Sequence, residues 1–283
     1  MPMTAGSTDD DNHSRRRATP DLAVTTPRTA PVLSDDQLQE MIELIKGADS
    51  VELKLSVPDA DRRSTIVALG MDALDAFIRQ VYFFDTPDLD LNRAGVVVRA
   101  RRTQGRPDDS VVKLRPVVPE DLPPELRARD DFGVEVDALP GGYVCSASFK
   151  HKHDSADRVK ETIAGEHRLS KLFSKHQRAF YSEHAPKGLE LDGLSILGPV
   201  HVFKLKFSPE GYDRKLVTEL WFYPDASRIL ELSTKCEPNE AFQVAAETRA
   251  YLAGRGVNLF GEQETKTATA LEFFAREARE EPA

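Results

Sequence analysis

The sequence predicts an α+β fold in which an antiparallel β-barrel with a charged interior is covered by flanking helices. Three observations lead there. Apolar residues recur with period two through about ten short segments of the 283-residue chain. One face of strand after strand carries charge. Helix-period patterning brackets the strands at residues 34–47 and 238–278, with one further stretch at 166–174.

Residues 1–33 are rich in Ser, Thr, Asp, Arg and Pro and read as a disordered tail, because they lack the apolar content to offset the entropy of ordering. Residues 34–283 read as a single domain, since no 20–50 residue repeat and no Pro/Gly-rich linker divides them. Ser34-Asp35-Asp36-Gln37 reads as a helix N-cap, followed by the stripe Leu38, Met41, Ile42 and Ile45 up to Gly47. Val51, Leu53 and Leu55 then alternate with Glu52 and Lys54. The same period continues through IRQVYFFD, GVVVRARR, SVVKLRPVV and GVEVD, with Thr86-Pro87-Asp88 and Arg106-Pro107-Asp108-Asp109 as turns between them. A charged, His-bearing stretch follows Gly141-Gly142 and reads as a loop. Strands are then expected at QRAFYSEH, GLELDGLSI, HVFKLKF, KLVTELWFY and RILELSTK, and two helices close the chain, Pro238–Ala253 and Thr265–Ala278.

Composition narrows the function classes. There are 47 acidic against 38 basic residues, a net charge of -9, which argues against a nucleic-acid or anionic-membrane coat but not against a small anion held by a local basic cluster. No apolar segment follows the basic residues near the N-terminus, and no run of about 18 apolar residues occurs, so a membrane role is not expected. Cys145 and Cys236 have no metal-ligand spacing and read as buried inert thiols of a reducing, cytoplasmic compartment. Asp85 before Thr-Pro reads as a turn former. His151-Lys152-His153 reads as a solvated loop rather than a zinc site. No P-loop, dinucleotide or Ser-nucleophile motif is present.

The chemistry lies in the charged faces. Residues i and i+2 of a strand point to the same side, so Glu52 with Lys54, Arg99 with Arg101, Lys113 with Arg115, Glu135 with Asp137, and Lys204 with Lys206 are same-face pairs. Any one pair fits a solvated sheet face. Paired cations on several strands repel one another unless an anion is shared between them. A barrel of eight or more strands with these faces inward can enclose such a ligand. Basic groups would hold phosphate oxygens, and carboxylates a hard cation such as Mg²⁺ or Mn²⁺. Lys204 and Lys206 fit the interior and the solvent side equally well.

The segment VELKLSV resembles the first-strand Glu-x-Glu-x-Lys signature of the CYTH, or triphosphate tunnel, family, with Glu52 and Lys54 in its last two charged positions and Ser50 where the first glutamate stands. YFFDTPDLDLNRAGVVVRARR is similar to the family's Tyr-Asp-Thr-Pro…Arg-x-Arg stretch. SVVKLRP, GVEVD, KLFSKHQRAFY and TELWFYPDASRILELSTK resemble its later basic and acidic strands in order. The resemblance spans about residues 50–237. It implies Arg99, Arg101, Lys113, Arg115, Arg178 and Lys235 as phosphate-binding residues, and Glu52, Glu219 and Glu231 as metal ligands. It also implies catalytic parts for Glu52, Lys54 and Glu135, Lys54 either neutralising the leaving phosphate or balancing the carboxylates.

The expected ligand is a triphosphate, nucleotide or polyphosphate with Mg²⁺ or Mn²⁺, and a homodimer stays open. The expected reaction is metal-dependent hydrolysis of a triphosphate or polyphosphate. The alternatives are adenylyl cyclisation of ATP and a non-catalytic polyphosphate- or nucleotide-binding module, the last suggested by Ser50.

Overall fold

A computed structural model describes residues 33–280, apart from 262, 264 and 265. The tail expected over residues 1–33 therefore lies, up to residue 32, outside the described residues. Nine strands form the barrel: β1 (Ser50–Val57), β2 (Phe77–Asp85), β3 (Val96–Thr103), β4 (Arg106–Leu114), β5 (Phe132–Leu139), β6 (Gly142–Lys152), β7 (Ser195–Phe207), β8 (Leu216–Phe222) and β9 (Arg228–Cys236). The helices are α1 (Asp35–Gly47), α2 (Arg62–Ala68), α3 (Asp90–Arg93), α4 (Pro124–Arg127), α5 (Arg158–Ile163), α6 (Lys175–His184), α7 (Ala241–Gly254) and α8 (Lys266–Glu280). The first begins as expected: Ser34 Oγ accepts from the Gln37 N–H, and Gln37 Oε1 from the Ser34 N–H. None of the described helices is long and apolar enough to cross a membrane.

The strands close in the order β1-β5-β6-β4-β3-β2-β7-β8-β9, β9 pairing back to β1. All neighbours are antiparallel except β1 and β5, which run parallel with Ser50 opposite Glu135 and Glu52 opposite Asp137. The barrel is therefore mixed rather than purely antiparallel. A parallel seam is required by the strand number: directions cannot alternate all the way round a closed ring of nine strands, so one neighbouring pair must run parallel.

The pleat sorts the side chains. Val51, Leu55, Val98, Val112, Val134 and Leu232 point outward and are buried under helices, while Glu52, Lys54, Arg99, Lys113, Glu135 and Glu231 on the same strands point into the lumen. One outer apolar cluster lies beneath α1, α5 and α6, and a second beneath α7. A third is internal. Val81, Phe83, Val202, Trp221 and Ile229 pack against Ala270, Leu271 and Phe274 of α8, so the C-terminal helix fills one end of the barrel.

Five expectations change. Arg106–Asp109, read as a turn, opens strand β4, and the turn falls at Gln104-Gly105. QRAFYSEH belongs to α6, because Gln177, Phe180 and Tyr181 fall on one helical face and all three are buried, with Ser174 and Gln177 forming a capping box. The stretch after Gly142 is not a loop but β6, whose Cys145, Ala147 and Phe149 pack outward while Ser146 and Ser148 face in. His151 and Lys152 end that strand. Residues 166–174 hold a single 3-10 turn, Leu169–Leu172, between α5 and α6. Of GLELDGLSI only Ser195 and Ile196 are strand, the start of β7, which runs on through HVFKLKF, while Leu191–Gly193 form a 3-10 turn. Opposite the bulge between Val81 and Phe83, Gly198 adopts φ +135°, and a Cβ there would lie 2.9 Å from the Val81 carbonyl oxygen.

Candidate anion and metal site in the barrel lumen

The lumen is divided by charge. On the β1–β5 side, Lys54 Nζ lies 2.8 Å from Asp137 Oδ1 and 3.2 Å from Glu52 Oε2. Arg115, just past the end of β4, donates to Asp137 Oδ2 at 2.7 Å. Its backbone is fixed by Gly95, whose carbonyl accepts from the Arg115 N–H at 2.8 Å. Gly95 has φ +75°, and a Cβ would meet the Arg115 carbonyl oxygen at 2.6 Å. Burial alone would raise Asp137, but Lys54, Lys113 and Arg115 hold its carboxyl down at about 2. Burial would likewise lower Lys54, yet Glu52, Asp137 and Glu231 keep it above the ordinary lysine range.

The β2–β3–β4 side is basic. Arg101 Nε donates to Asp109 at 2.6 Å, and Arg79 reaches Glu219 at 3.5 Å. Lys113 has only a 3.9 Å approach to Asp137. Burial pushes its ammonium down to about 7, Asp137 partly opposing. Arg99 lies between these groups without a carboxylate partner among the described residues, and its buried Nε makes no hydrogen bond. Burial, reinforced by Arg101, lowers its guanidinium to about 9, which leaves it charged at neutral pH. A charged, half-buried guanidinium whose buried Nε has no acceptor and whose neighbours are cations is unfavourable by itself, and an anion is what would satisfy it.

The β8–β9 side holds Glu219 opposite Glu231. Neither is free. Lys204 Nζ bonds Glu219 Oε1 at 2.7 Å, Trp221 Nε1 donates to Oε2 at 3.2 Å, and Lys266 of α8 bonds both carboxylates. Glu219 is held well below the ordinary carboxylate range: burial would raise it, and Lys266 and Lys204 overcome that.

Most of the residues expected at the site therefore meet in the lumen: Glu52, Lys54, Arg99, Arg101, Lys113, Arg115, Glu135, Glu219, Glu231 and Lys235. Lys235 stands half-exposed, paired with Glu135 at 2.6 Å. Arg178 does not join them. It is exposed on α6, on the outside of the barrel, and its guanidinium donates to the Phe173 carbonyl, because the segment taken for a basic strand is helical. Lys204 faces the lumen, and Lys206, on the same face two residues further along β7, is exposed near the end of the strand. Asp85 is the turn former expected, accepting from the Thr86, Leu91 and Asn92 N–H groups. Cys145 and Cys236 are buried and free.

Sequence reasoning missed Arg79, Asp109, Lys150 and Lys266. Arg79 and Asp109 have the lumen parity of their strands, but neither has a like-charged i+2 neighbour to draw attention. Lys150 lies on the strand read as a loop. Lys266 starts a helix, where strand alternation carries no information.

For a divalent ion the fitting carboxylates are Glu52, Glu135 and Asp137, each able to offer an oxygen within 4.8 Å of the others. These are hard oxygen donors of the kind Mg²⁺ and Mn²⁺ take. Glu219 and Glu231 fit less well. The trio is ion-paired too, but the pairs with Lys54 and Lys235 engage one oxygen each of Glu52 and Glu135, whereas both oxygens of Glu219 are held, by Lys204 and Lys266, and Glu231 shares that Lys266.

Comparison with protein-family models and with curated proteins gives no match. Among solved structures, the fold is similar to that of a Hippeastrum protein named as a candidate adenylyl cyclase with a dominant triphosphatase activity. The TM-score is 0.58 at 16% identity, over 77% of this chain and 93% of that one. It is also similar to a protein of Bacillus halodurans named as a candidate adenylate cyclase, with TM-score 0.55 at 14% identity, over 78% of this chain and 97% of that one. The architecture is thus the triphosphate tunnel fold.

Proposed function

We propose that the lumen binds a linear triphosphate-bearing anion and hydrolyses its terminal phosphoanhydride with the help of a divalent metal, Mg²⁺ or Mn²⁺. The observation that carries this reading is Arg99: a charged, half-buried guanidinium with a buried, unpartnered Nε, set among Arg79, Arg101 and Lys113. The mixed signs of the lumen suit a phosphate chain better than a carboxylate or sulfate ligand, because a phosphate chain can bridge cationic side chains and a metal at once.

Arg99, Arg101 and Lys113 would bind the phosphate oxygens and stabilise charge that grows on them as the terminal P–O bond breaks. Arg115, through Asp137, and Lys235, through Glu135, orient the carboxylates opposite. Glu52, Glu135 and Asp137 would hold the metal, which when bound polarises the phosphoryl oxygens and lowers the pKa of attacking water. Water oxygen forms the new bond to phosphorus, the bridging oxygen leaves with the remaining diphosphate, and the water proton passes to solvent. Lys113, and Lys54 where it is not balancing Glu52 and Asp137, would neutralise the departing oxygen. The similarity in fold to a protein named for triphosphatase activity supports this reading.

The test is product analysis from purified protein given tripolyphosphate, ATP, thiamine triphosphate or long-chain polyphosphate with Mg²⁺ or Mn²⁺. Orthophosphate release from tripolyphosphate is expected, lost on Arg99→Ala and kept on Arg178→Ala. Cyclic AMP with pyrophosphate from ATP would replace hydrolysis by cyclisation. Binding without any product would make the chain a phosphate-binding module.

A further inference from the structure

Glu219 and Glu231 sit directly opposite one another on β8 and β9, and two like charges so placed repel unless a cation lies between them. A cation of this chain's own does lie there. Lys266, the first residue of α8, bonds Glu219 Oε2 and also Glu231 Oε1, the latter at 2.6 Å. Its Nζ stands 5.3 Å from the Trp221 ring centroid. The Glu231 and Lys266 side chains are only 5% and 15% exposed. The remaining Glu219 oxygen is held by Lys204. The helix carrying Lys266 is anchored by Ala270, Leu271 and Phe274, packed into the end of the barrel. This ammonium is thus tethered and does not exchange with solvent ions.

We propose that Lys266 is a built-in cation that takes the place between Glu219 and Glu231 otherwise open to a divalent ion, so that the lumen holds metal at Glu52, Glu135 and Asp137 alone. This rests on the reading of the lumen as an anion and metal site. A divalent ion of this class needs carboxylate oxygens at about 2.0–2.6 Å around itself, and an ammonium within hydrogen-bond distance of both carboxylates fills that space. Lys266 is a positioning residue: it fixes the carboxylate pair, ties α8 into the barrel and limits the site to one divalent ion.

The experiment is a Mn²⁺ titration followed by the paramagnetic resonance signal of free Mn²⁺, with thermal unfolding recorded alongside. The native chain is expected to bind one Mn²⁺ per chain, and Glu231→Gln, which leaves Lys266 paired with Glu219, to bind the same number. Lys266→Met is expected to gain a second Mn²⁺, and Lys266→Met with Glu231→Gln to lose it again. Loss of Mn²⁺ from Glu231→Gln alone, or no gain in a folded Lys266→Met, overturns the proposal. Should Lys266→Met fail to fold, the Glu231→Gln stoichiometry decides alone. A native chain that binds no Mn²⁺ while Lys266→Met binds one contradicts the metal trio but supports the Lys266 assignment.

Discussion

Single side chains set both the chemistry and the stability of the barrel. Asp85, 2% exposed, accepts three backbone N–H bonds at 2.7–2.9 Å and thereby closes the turn that leads to β3. Asp85→Ala strands those donors, and a loss of about 2–3 kcal/mol is expected from chemical denaturation. Asp108 is of another kind. Burial raises its carboxyl from the ordinary 3.8 to about 6, against the pull of the Val159 N–H and Arg102, and its Oδ1 has no partner. A raised folded pKa means the native state binds the extra proton, so this group's contribution declines as pH rises from about 4 to 6 and stays unfavourable above. Asp108→Asn keeps an acceptor for Val159. It is expected to raise the Tm at pH 7.5 by a few degrees, with the gain fading by pH 4; an equal gain at both pH values would contradict the assignment. The inward parity of Glu52, Lys54, Arg99 and Arg101 was legible because a strand repeats every two residues. The parity of Arg178 was not, because Phe180 and Tyr181 fit either period and only the burial of Gln177 decides for the helix.

At the scale of elements, α6 is locked by one polar residue. Gln177, fully buried, donates to the Ser110 and Phe149 carbonyls at 2.9 and 3.2 Å and accepts from Ser174 N at 2.9 Å and Ser110 Oγ at 3.1 Å. It joins α6 to β4 and β6 at once. Gln177→Leu leaves the two carbonyls unpaired, and a destabilisation of about 2–4 kcal/mol is expected, read as a lowered denaturant midpoint. No destabilisation would mean the outer helix layer is held by its apolar contacts alone. Pro107 and two aspartates disguised the start of β4 as a turn, whereas β4 from Ser110 onward, strands β1, β2, β3 and β5, and both terminal helices were readable from their periods. β6 was not, because small inward residues, Ser146 and Ser148, and a charged end hide the alternation. The parallel β1–β5 pairing was also hidden, since periodicity tells which face a residue takes but not which strand lies beside it.

For the whole molecule, the notable contrast is between a chain of net charge -9 and a lumen in which basic side chains outnumber carboxylates. Closure of the barrel concentrates Arg79, Arg99, Arg101 and Lys113 on one wall, at the cost of lowering the pKa of the half-buried Arg79, Arg99 and Lys113. That cost persists only if something else compensates it, and α8 cannot, since its one inserted cation is spent on the opposite wall. A bound polyanion would relieve the repulsion, stabilise the fold by linkage, and do so less as salt rises. The most direct measurement is calorimetric titration of tripolyphosphate into the native chain, Arg99→Ala and Arg178→Ala. Native affinity retained by Arg178→Ala and weakened about ten- to a hundredfold by Arg99→Ala is the predicted result. Equal binding by all three, or none by the native chain, would contradict a lumen built for phosphate.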